Sequence, residues 1–445
     1  MSIVDPPVGE RGPLTQPTTG VVAASWALFA GITLLMLGNG LQVSLLGIRS
    51  QLEGFSVVVS GAIMASYFVG FLVGSRAAAK ALASVGHIRV FAALASMASS
   101  AALVHGLIVH PLPWLLMRFT TGACMAGLYV VVESWINDLA TNATRGRLLA
   151  LYMVVSMGGL AGGQFLLNLA DPRSAQLFII ASVLISLALV PVSLSGRGAP
   201  PTTVPEPMSL IQLIRSVPTG PAVSAMVGVA HGSLLGMGAL YATRAGMSPA
   251  RTAVFMFAPM AGGVVLQLPI GLLSDRVSRR VVMLGVSIGA AGMAALLLVV
   301  PAGGPTAMVL MFLVGGFSFP LYSLGIAYTN DWIRPEQAMG ASASLVTING
   351  LGAIAGPLVA AALITGFGTR MFFVALVLAH GAIALYLGYR VAFRAGIPLS
   401  GQGRFRPVPA RASATVVALL ARRNRQGAGT AEEPQPTEVG PAQVR

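Results

Sequence analysis

The chain has 445 residues, 55% hydrophobic and only 9% charged, with mean hydropathy +0.81; that balance excludes an ordinary soluble surface and points to a membrane chain. Net charge of +14 is almost wholly arginine, Lys80 being the only lysine, and the arginines stand at the ends of apolar runs, which marks topology rather than nucleic-acid binding. The single cysteine, Cys124, leaves no internal disulfide framework and, inside an apolar run, reads as a small buried hydrophobe.

Residues 1–20, with Asp5, Pro6, Pro7, Pro13 and Pro17, lack the basic, apolar and small-residue order of a cleaved leader, so the first span is expected to stay attached. Crossing about 30 Å of hydrocarbon takes roughly twenty apolar residues in a helix. Six such runs follow: Val21 to Leu46, Ser56 to Gly74, Ile88 to Val109, Pro113 to Trp135, Leu148 to Leu169 and Ala175 to Leu194. A proline-rich stretch, Ser195 to Pro221, separates them from six more: Ala222 to Thr243, Thr252 to Leu273, Val281 to Val300, Thr306 to Thr329, Ala341 to Thr365 and Met371 to Val391. None alternates every second residue as barrel strands do, so the sequence predicts an all-α polytopic membrane protein with twelve transmembrane helices. From Ser400 onward, proline, glycine and charge predict disorder. The tail's arginines could rest on anionic headgroups, at about 1 kcal/mol each, or simply be solvated.

If the N-terminus is cytoplasmic, the inner connections hold twelve basic residues, among them Arg76, Lys80, Arg147, Arg279 and Arg334, against five outside: Arg49, Arg173, Arg244, Arg251 and Arg370. Positive charge favours the cytoplasmic side, so both termini are expected inside a bacterial inner membrane. The expected organisation is a cytoplasmic segment 1–20, a six-helix bundle 21–194, a cytoplasmic linker 195–221, a second six-helix bundle 222–393 and a basic tail 394–445. The bundles look like copies. LYVVVESWIND, Leu128 to Asp138, matches LYSLGIAYTND, Leu321 to Asp331, with Trp135 facing Tyr328. Gly158 and Gly162 are echoed by Gly352 and Gly356 with a one-residue slip, and GFLVG from Gly70 by GLLSD from Gly271. An even number of spans per copy makes the copies parallel. Gly70, Gly74, Gly158, Gly159, Gly162, Gly163, Gly262 and Gly263 allow close helix contacts, and Pro259, Pro269, Pro320 and Pro357 allow bends.

GLLSDRVSRR, Gly271 to Arg280, resembles the cytoplasmic loop motif of the major facilitator superfamily of secondary transporters, with Gly271 at its head, Asp275 four residues on, then Arg276, Arg279 and Arg280. In the first half, GFLVGSRAAAK puts Gly74 in the expected aspartate's place, and only Arg76 and Lys80 keep the charge. RFTTGACMA, Arg118 to Ala126, is similar to the superfamily's fourth-span pattern. LGNGLQVSLLGIRSQLEGFS and ESWINDLATNATRGRLLALYM look most like the YcaD-type group of bacterial permeases. The resemblance covers about residues 20 to 395. It implies two pseudo-symmetric six-helix bundles around a central cavity, and alternating access, but supplies no substrate.

A carboxylate inside hydrocarbon costs about 2.5 to 3.5 kcal/mol on insertion scales, so Glu133 should face the interior, find a partner or be protonated. Steps of three and four put Arg118, Gly122, Met125, Tyr129 and Glu133 on one helical stripe, the two charges about 22 Å apart along the axis. A proton-exchanging Glu133 and a fixed pair with Arg145 or Arg147 both fit this placement. Because first and fourth spans line the cavity in the proteins this chain resembles, Asn39, Gln42, Arg118, Tyr129 and Glu133 form the expected cavity and coupling set. Hydrogen bonding across helices is the other reading of Asn39 and Gln42, as of Gln164, Gln267 and Asn349. Asp138, Arg145, Asp275, Arg276, Arg280 and Asp331 form the expected cytoplasmic gate, Asp331 pairing with Arg276 or Arg280 and Asp138 with Arg76 while the cytoplasmic ends are together. Solvated loop charges are the alternative. His105, His231 and His380 stand one per span without a second ligand at metal spacing, so core hydrogen bonding is expected, and no metal or cofactor.

No G-x-x-x-x-G-K-[ST] or HExxH string occurs, so neither a primary pump nor an enzyme is expected. The expected function is a secondary active transporter of a small organic molecule, proton-coupled, with export favoured because the apolar cavity has few fixed charges. Uptake by symport or facilitated diffusion is one alternative; a non-transporting sensor on the same scaffold is another. Expected partners are the small-molecule substrate, protons and membrane lipid, without nucleic acid, and the chain is expected to be a monomer.

Overall fold

The computed structural model describes residues 26–140, 144–193, 208–334, 337–394, 396–403 and 405, and among these twelve helices are long and apolar enough to cross a membrane. The first six are α1 Trp26–Leu52, α2 Val57–Val85, α3 His87–Leu107, α4 Pro111–Leu139, α5 Arg145–Gly162 and α6 Gln176–Leu187, which a short helix, Leu189–Ser193, extends to the length of a span. The second six are α7 Thr219–Arg244, α8 Pro249–Arg276, α9 Arg279–Leu296, α10 Pro305–Trp332, α11 Ala338–Phe367 and α12 Met371–Phe393. All twelve expected spans are present. Helix starts follow local chemistry: the Ser56 hydroxyl accepts from the Val59 N–H at 3.2 Å and that of Ser248 from the Arg251 N–H at 3.3 Å. Pro111, Pro249 and Pro305 open their helices where a missing N–H leaves nothing unpaired. Gly86, with φ +85°, turns α2 directly into α3.

Two elements depart from the expected spans. α2 does not stop at Gly74 but runs on through Arg76 and Lys80 to Val85, because a helix can continue into the interface on an alanine-rich sequence. α5 gives way at Gly162 to a 3-10 stretch, Gly163–Asn168. There α1 comes close: a Cβ on Gly163 would lie 2.4 Å from the Leu37 carbonyl oxygen. Gln164 donates to the Gly40 carbonyl at 2.9 Å and accepts from the Ser44 hydroxyl.

Helix contacts reveal the internal repeat's true register. Leu128 and Leu321 stand 193 residues apart, and the packing keeps that spacing to within a residue. Gly122 lies on the Tyr67 backbone as Gly315 lies on that of Pro259, and Gly70 on Phe119 as Gly262 on Phe312. Gly159 and Gly163, not Gly158 and Gly162, correspond to Gly352 and Gly356; Gly158 has open space beside it. The echo of GFLVG in GLLSD is likewise corrected. Gly74 sits mid-helix against Ala123 and is no counterpart of Asp275, which is next to the last residue of α8. At the same spacing His87 stands where Arg280 does, 5.7 Å from the Trp135 ring as Arg280 is 5.4 Å from that of Tyr328. Apolar strings match one another at several offsets; close backbone contact, possible only without a Cβ, selects one.

Within each half α2 packs on α4 and α1 on α5, as α8 does on α10 and α7 on α11; between halves the seam is α1 with α7, α2 with α11, and α5 with α8. The face where α1 begins and α12 ends is called terminal here, the opposite one distal. Distal closure is tight. A Cβ on Gly47 would lie 3.1 Å from that of Ala239, one on Gly61 2.6 Å from that of Ala361, and the Phe165 and Phe257 rings are 5.0 Å apart. Arg244 donates to Gln51 across the seam at 3.0 Å. Towards the terminal face the α2–α11 seam reaches Arg76, which donates to Thr347 at 3.4 Å. Among the described residues, α4 and α5 form no comparable seam with α10 and α11 there.

Candidate transport cavity

A cavity lies at the seam, walled by Phe68 and Phe71 of α2, Met157 and Leu160 of α5, His231 and Leu235 of α7, Met260 of α8, Phe319 and Tyr322 of α10, and Val346, Asn349, Gly350 and Ala353 of α11. None of these side chains carries a fixed charge. The His231 ring stacks on Phe319 with centroids 4.5 Å apart. Asn349 donates its amide to the Ser224 carbonyl at 3.0 Å. Beside the wall, Gln267 donates to Ser323 at 2.8 Å, tying α8 to α10.

None of Asn39, Gln42, Arg118, Tyr129 or Glu133 is among these wall residues; Arg118, Tyr129 and Glu133 lie behind the wall in the first half. The Tyr129 ring is 6.1 Å from Phe71, and its hydroxyl donates to the Met36 sulfur at 3.2 Å. Arg118 lies 4.5 Å over the Tyr67 ring, itself 6.2 Å from Phe71. Glu133 is wholly buried and accepts from the Tyr152 hydroxyl at 2.9 Å, with Tyr322 of the other half in electrostatic reach. Asn39 and Gln42 are wholly buried too, and their amide atoms have no hydrogen-bond partner among the described residues. The stripe of α4 is covered because Gly122 lets the α2 backbone in, placing Tyr67, Phe68 and Phe71 between it and the void. From the sequence His231 is expected in the core and Asn349 either on the cavity or bonded across helices; a polar residue alone in an apolar span is their only signal, and the phenylalanines and methionines of the wall have none. His105 and His380 bond the carbonyls of Ala101 and Leu376, one turn back, at 2.6 and 2.8 Å, as core residues do. Among the described residues no cluster of metal-ligating side chains occurs.

At the terminal face the expected gate residues of the second half meet within that half. Arg279, nearly inaccessible, pairs with Asp331 and donates to the Ala327 carbonyl at 3.1 Å, with Asp275 at 3.8 Å. The partner expected for Asp331 was Arg276 or Arg280. The structure puts Arg279 there, because as the first residue of α9 it points along α10, whereas Arg276 ends α8 in an exposed position. Arg280 donates to the Tyr328 hydroxyl at 2.9 Å and to the Arg390 and Arg394 carbonyls at 3.3 and 2.9 Å, capping α12. The side chains of Asp138 and Arg145 lie outside the described residues, as do residues 1–25, 194–207 and 406–445.

A family model, that of the Major Facilitator Superfamily, matches residues 222–426. The chain is 25% identical over 353 residues to the uncharacterised MFS-type transporter YcaD of Escherichia fergusonii, covering 78% of this chain and 90% of that one. It is 28% identical over 357 residues, with the same coverage, to an uncharacterised MFS-type transporter of Enterobacter sp. strain 638. Among solved structures, a bacterial homologue of the human lysosomal transporter Spinster, inward-facing and unoccupied, is similar with a TM-score of 0.65 at 15% identity, covering 93% of this chain and 98% of that one. The nucleoside transporter NupG is similar with a TM-score of 0.64 at 13% identity, covering 91% and 99%. At these identities the solved structures establish the fold: two pseudo-symmetric six-helix bundles of the major facilitator type.

Proposed function

We propose that this chain, a membrane transporter of the major facilitator type, moves a small uncharged organic solute by alternating access, coupled to protons and with export the favoured direction. The cavity at the seam supports this: both bundles contribute to its wall, and no wall side chain offers a counter-charge. A charged solute would lose its hydration there without compensation. Phe68, Phe71, Phe319 and Tyr322 suit a flat apolar body, Met157 and Met260 adapt to its outline, and Asn349 and His231 can orient one polar end. Solutes of that kind partition into the bilayer from either side, which favours export as the useful direction. Glu133 is the proposed coupling group, a buried carboxyl one layer behind Phe71 and bonded to Tyr152, where rocking of the bundles changes its surroundings. The excess of basic residues on the inner connections supports an inner-membrane protein with both termini cytoplasmic.

The test begins with a thermal-shift panel of neutral, anionic and cationic aromatic solutes on the purified protein. Neutral members are expected to bind, and a panel in which only ions bind would overturn the substrate class. Inside-out vesicles loaded with a pH dye then receive a binding solute: export by antiport releases lumenal protons. Glu133→Gln is expected to abolish that release while keeping the thermal shift. Unaltered proton release in the variant removes Glu133 from coupling.

A further inference from the structure

After α12 the chain folds back over the terminal face of its own half. We propose that residues 396–403 with Phe405 are a strap that restrains closure of the terminal face, by covering the part of α8 that α5 meets when the terminal ends come together.

The strap is bonded at both acidic residues of the gate cluster. The Gly403 N–H donates to Asp331 at 3.0 Å and its carbonyl accepts from Arg279, while the Phe405 N–H donates to Asp275 at 2.6 Å. Ile397 and Gln402 line a small pocket with Arg279, Arg280, Tyr328 and Asp331. The Phe405 ring is seated on Gly271: a Cβ there would lie 2.2 Å from two ring carbons. Asp275 and Asp331, acids of the expected cytoplasmic gate, thus hold the tail as well.

The position of Phe405 along α8 gives these bonds their consequence. Residues 257, 260, 264, 271 and 275 recur at helical spacing and share one stripe of α8. Towards the distal face that stripe meets the first half, Phe257 against Phe165 and Met260 clustered with Leu160 of α5. Towards the terminal face its next small position, Gly271, is filled by Phe405. Rocking the bundles to open the distal face brings the terminal part of α5 towards the same stripe, where it meets the phenylalanine. The strap therefore favours the distal-closed arrangement, and its release is a step on the way out of it.

Maleimide labelling of the full-length protein in nanodiscs tests this, with buried Cys124 as a slow internal reference. Two reporters are made: Gln402→Cys in the strap, and Ala242→Cys, wholly buried near the distal seal. Gly271→Ala, which removes the seat of Phe405, is expected to speed labelling of both reporters several-fold. Phe405→Ala, which leaves α8 untouched, is expected to do the same. Faster labelling at Gln402→Cys with none at Ala242→Cys would make the strap a passive ornament of the second half and overturn the proposal. Unchanged labelling at Gln402→Cys in both variants would overturn the role of Phe405. Neither readout depends on the solute carried or on Glu133, so the proposal stands or falls separately from the proposed function.

Discussion

Asn39 and Gln42 pose the clearest question at the scale of single residues. Each is wholly inaccessible, and together their four amide atoms find no hydrogen-bond partner among the described residues. An unsatisfied buried polar group costs about 1–3 kcal/mol. Such a cost is tolerable in a transporter if it is carried in one arrangement of the bundles and relieved in another, where α1 faces solute or water. Asn39→Leu and Gln42→Leu are therefore expected to raise the melting temperature of the purified protein and to slow transport. A lowered melting temperature would mean that the amides are satisfied in this arrangement after all. Glu133 differs, being met by Tyr152 from the next helix. The sequence announced the carboxylate by its cost in hydrocarbon, but it weighed only Arg145 and Arg147 as partners. A tyrosine in an apolar run carries no charge by which to be noticed.

At the scale of helices, packing rests on glycines that bring backbones together, and the two bundles repeat the device. A Cβ on Gly122 would lie 1.9 Å from the Tyr67 carbonyl oxygen, a backbone atom that can yield only if α2 and α4 separate. Gly122→Ala is expected to destabilise by about 1–3 kcal/mol or more and to loosen the Arg118–Tyr67 contact; thermal unfolding in detergent measures it. Gly285→Ala is the control, since nothing lies within 4 Å of the added carbon, and it should stay within about 0.5 kcal/mol of the parent. Equal losses at both positions would refute the packing account. The contrast also shows why the sequence disclosed some elements and hid others. Twelve spans were legible because hydrocarbon thickness sets a minimum apolar length. The repeat was legible at LYVVVESWIND and LYSLGIAYTND, where polar residues mark the register, but not among glycines, since apolar strings are nearly interchangeable in transfer energy. The cavity wall was hidden for the same reason: Phe71 and Met260 cost nothing in hydrocarbon whichever way they face.

For the whole molecule, the distal seal decides which arrangement is populated, and small residues at its contacts set that balance. Gly61 lies at the distal end of the α2–α11 seam, against the Ala361 side chain and the Pro357 carbonyl. A larger side chain there acts as a wedge. It strains the distal-closed arrangement and leaves the distal-open one, in which this contact is parted, unstrained. By linkage only such a differential cost shifts a two-state equilibrium, at about tenfold per 1.4 kcal/mol. Overpacking of about 1–3 kcal/mol would therefore move the populations by roughly fivefold to 150-fold. The Arg244–Gln51 bond is exposed and contributes less, so Arg244→Ala should shift the balance only slightly. Spin labels at Ser174→Cys, in the distal connection before α6, and Ala250→Cys, at the distal start of α8, read this directly. Gly61→Leu is expected to add a longer-distance population that Arg244→Ala barely shows. If Gly61→Leu leaves the distances unchanged, the α2–α11 contact does not control distal opening; if it unfolds the protein, Gly61→Ala supplies the smaller wedge. Combining Gly61→Leu with Gly271→Ala should enlarge the longer-distance population beyond either variant, because one strains the distal-closed arrangement directly while the other frees the terminal face to close.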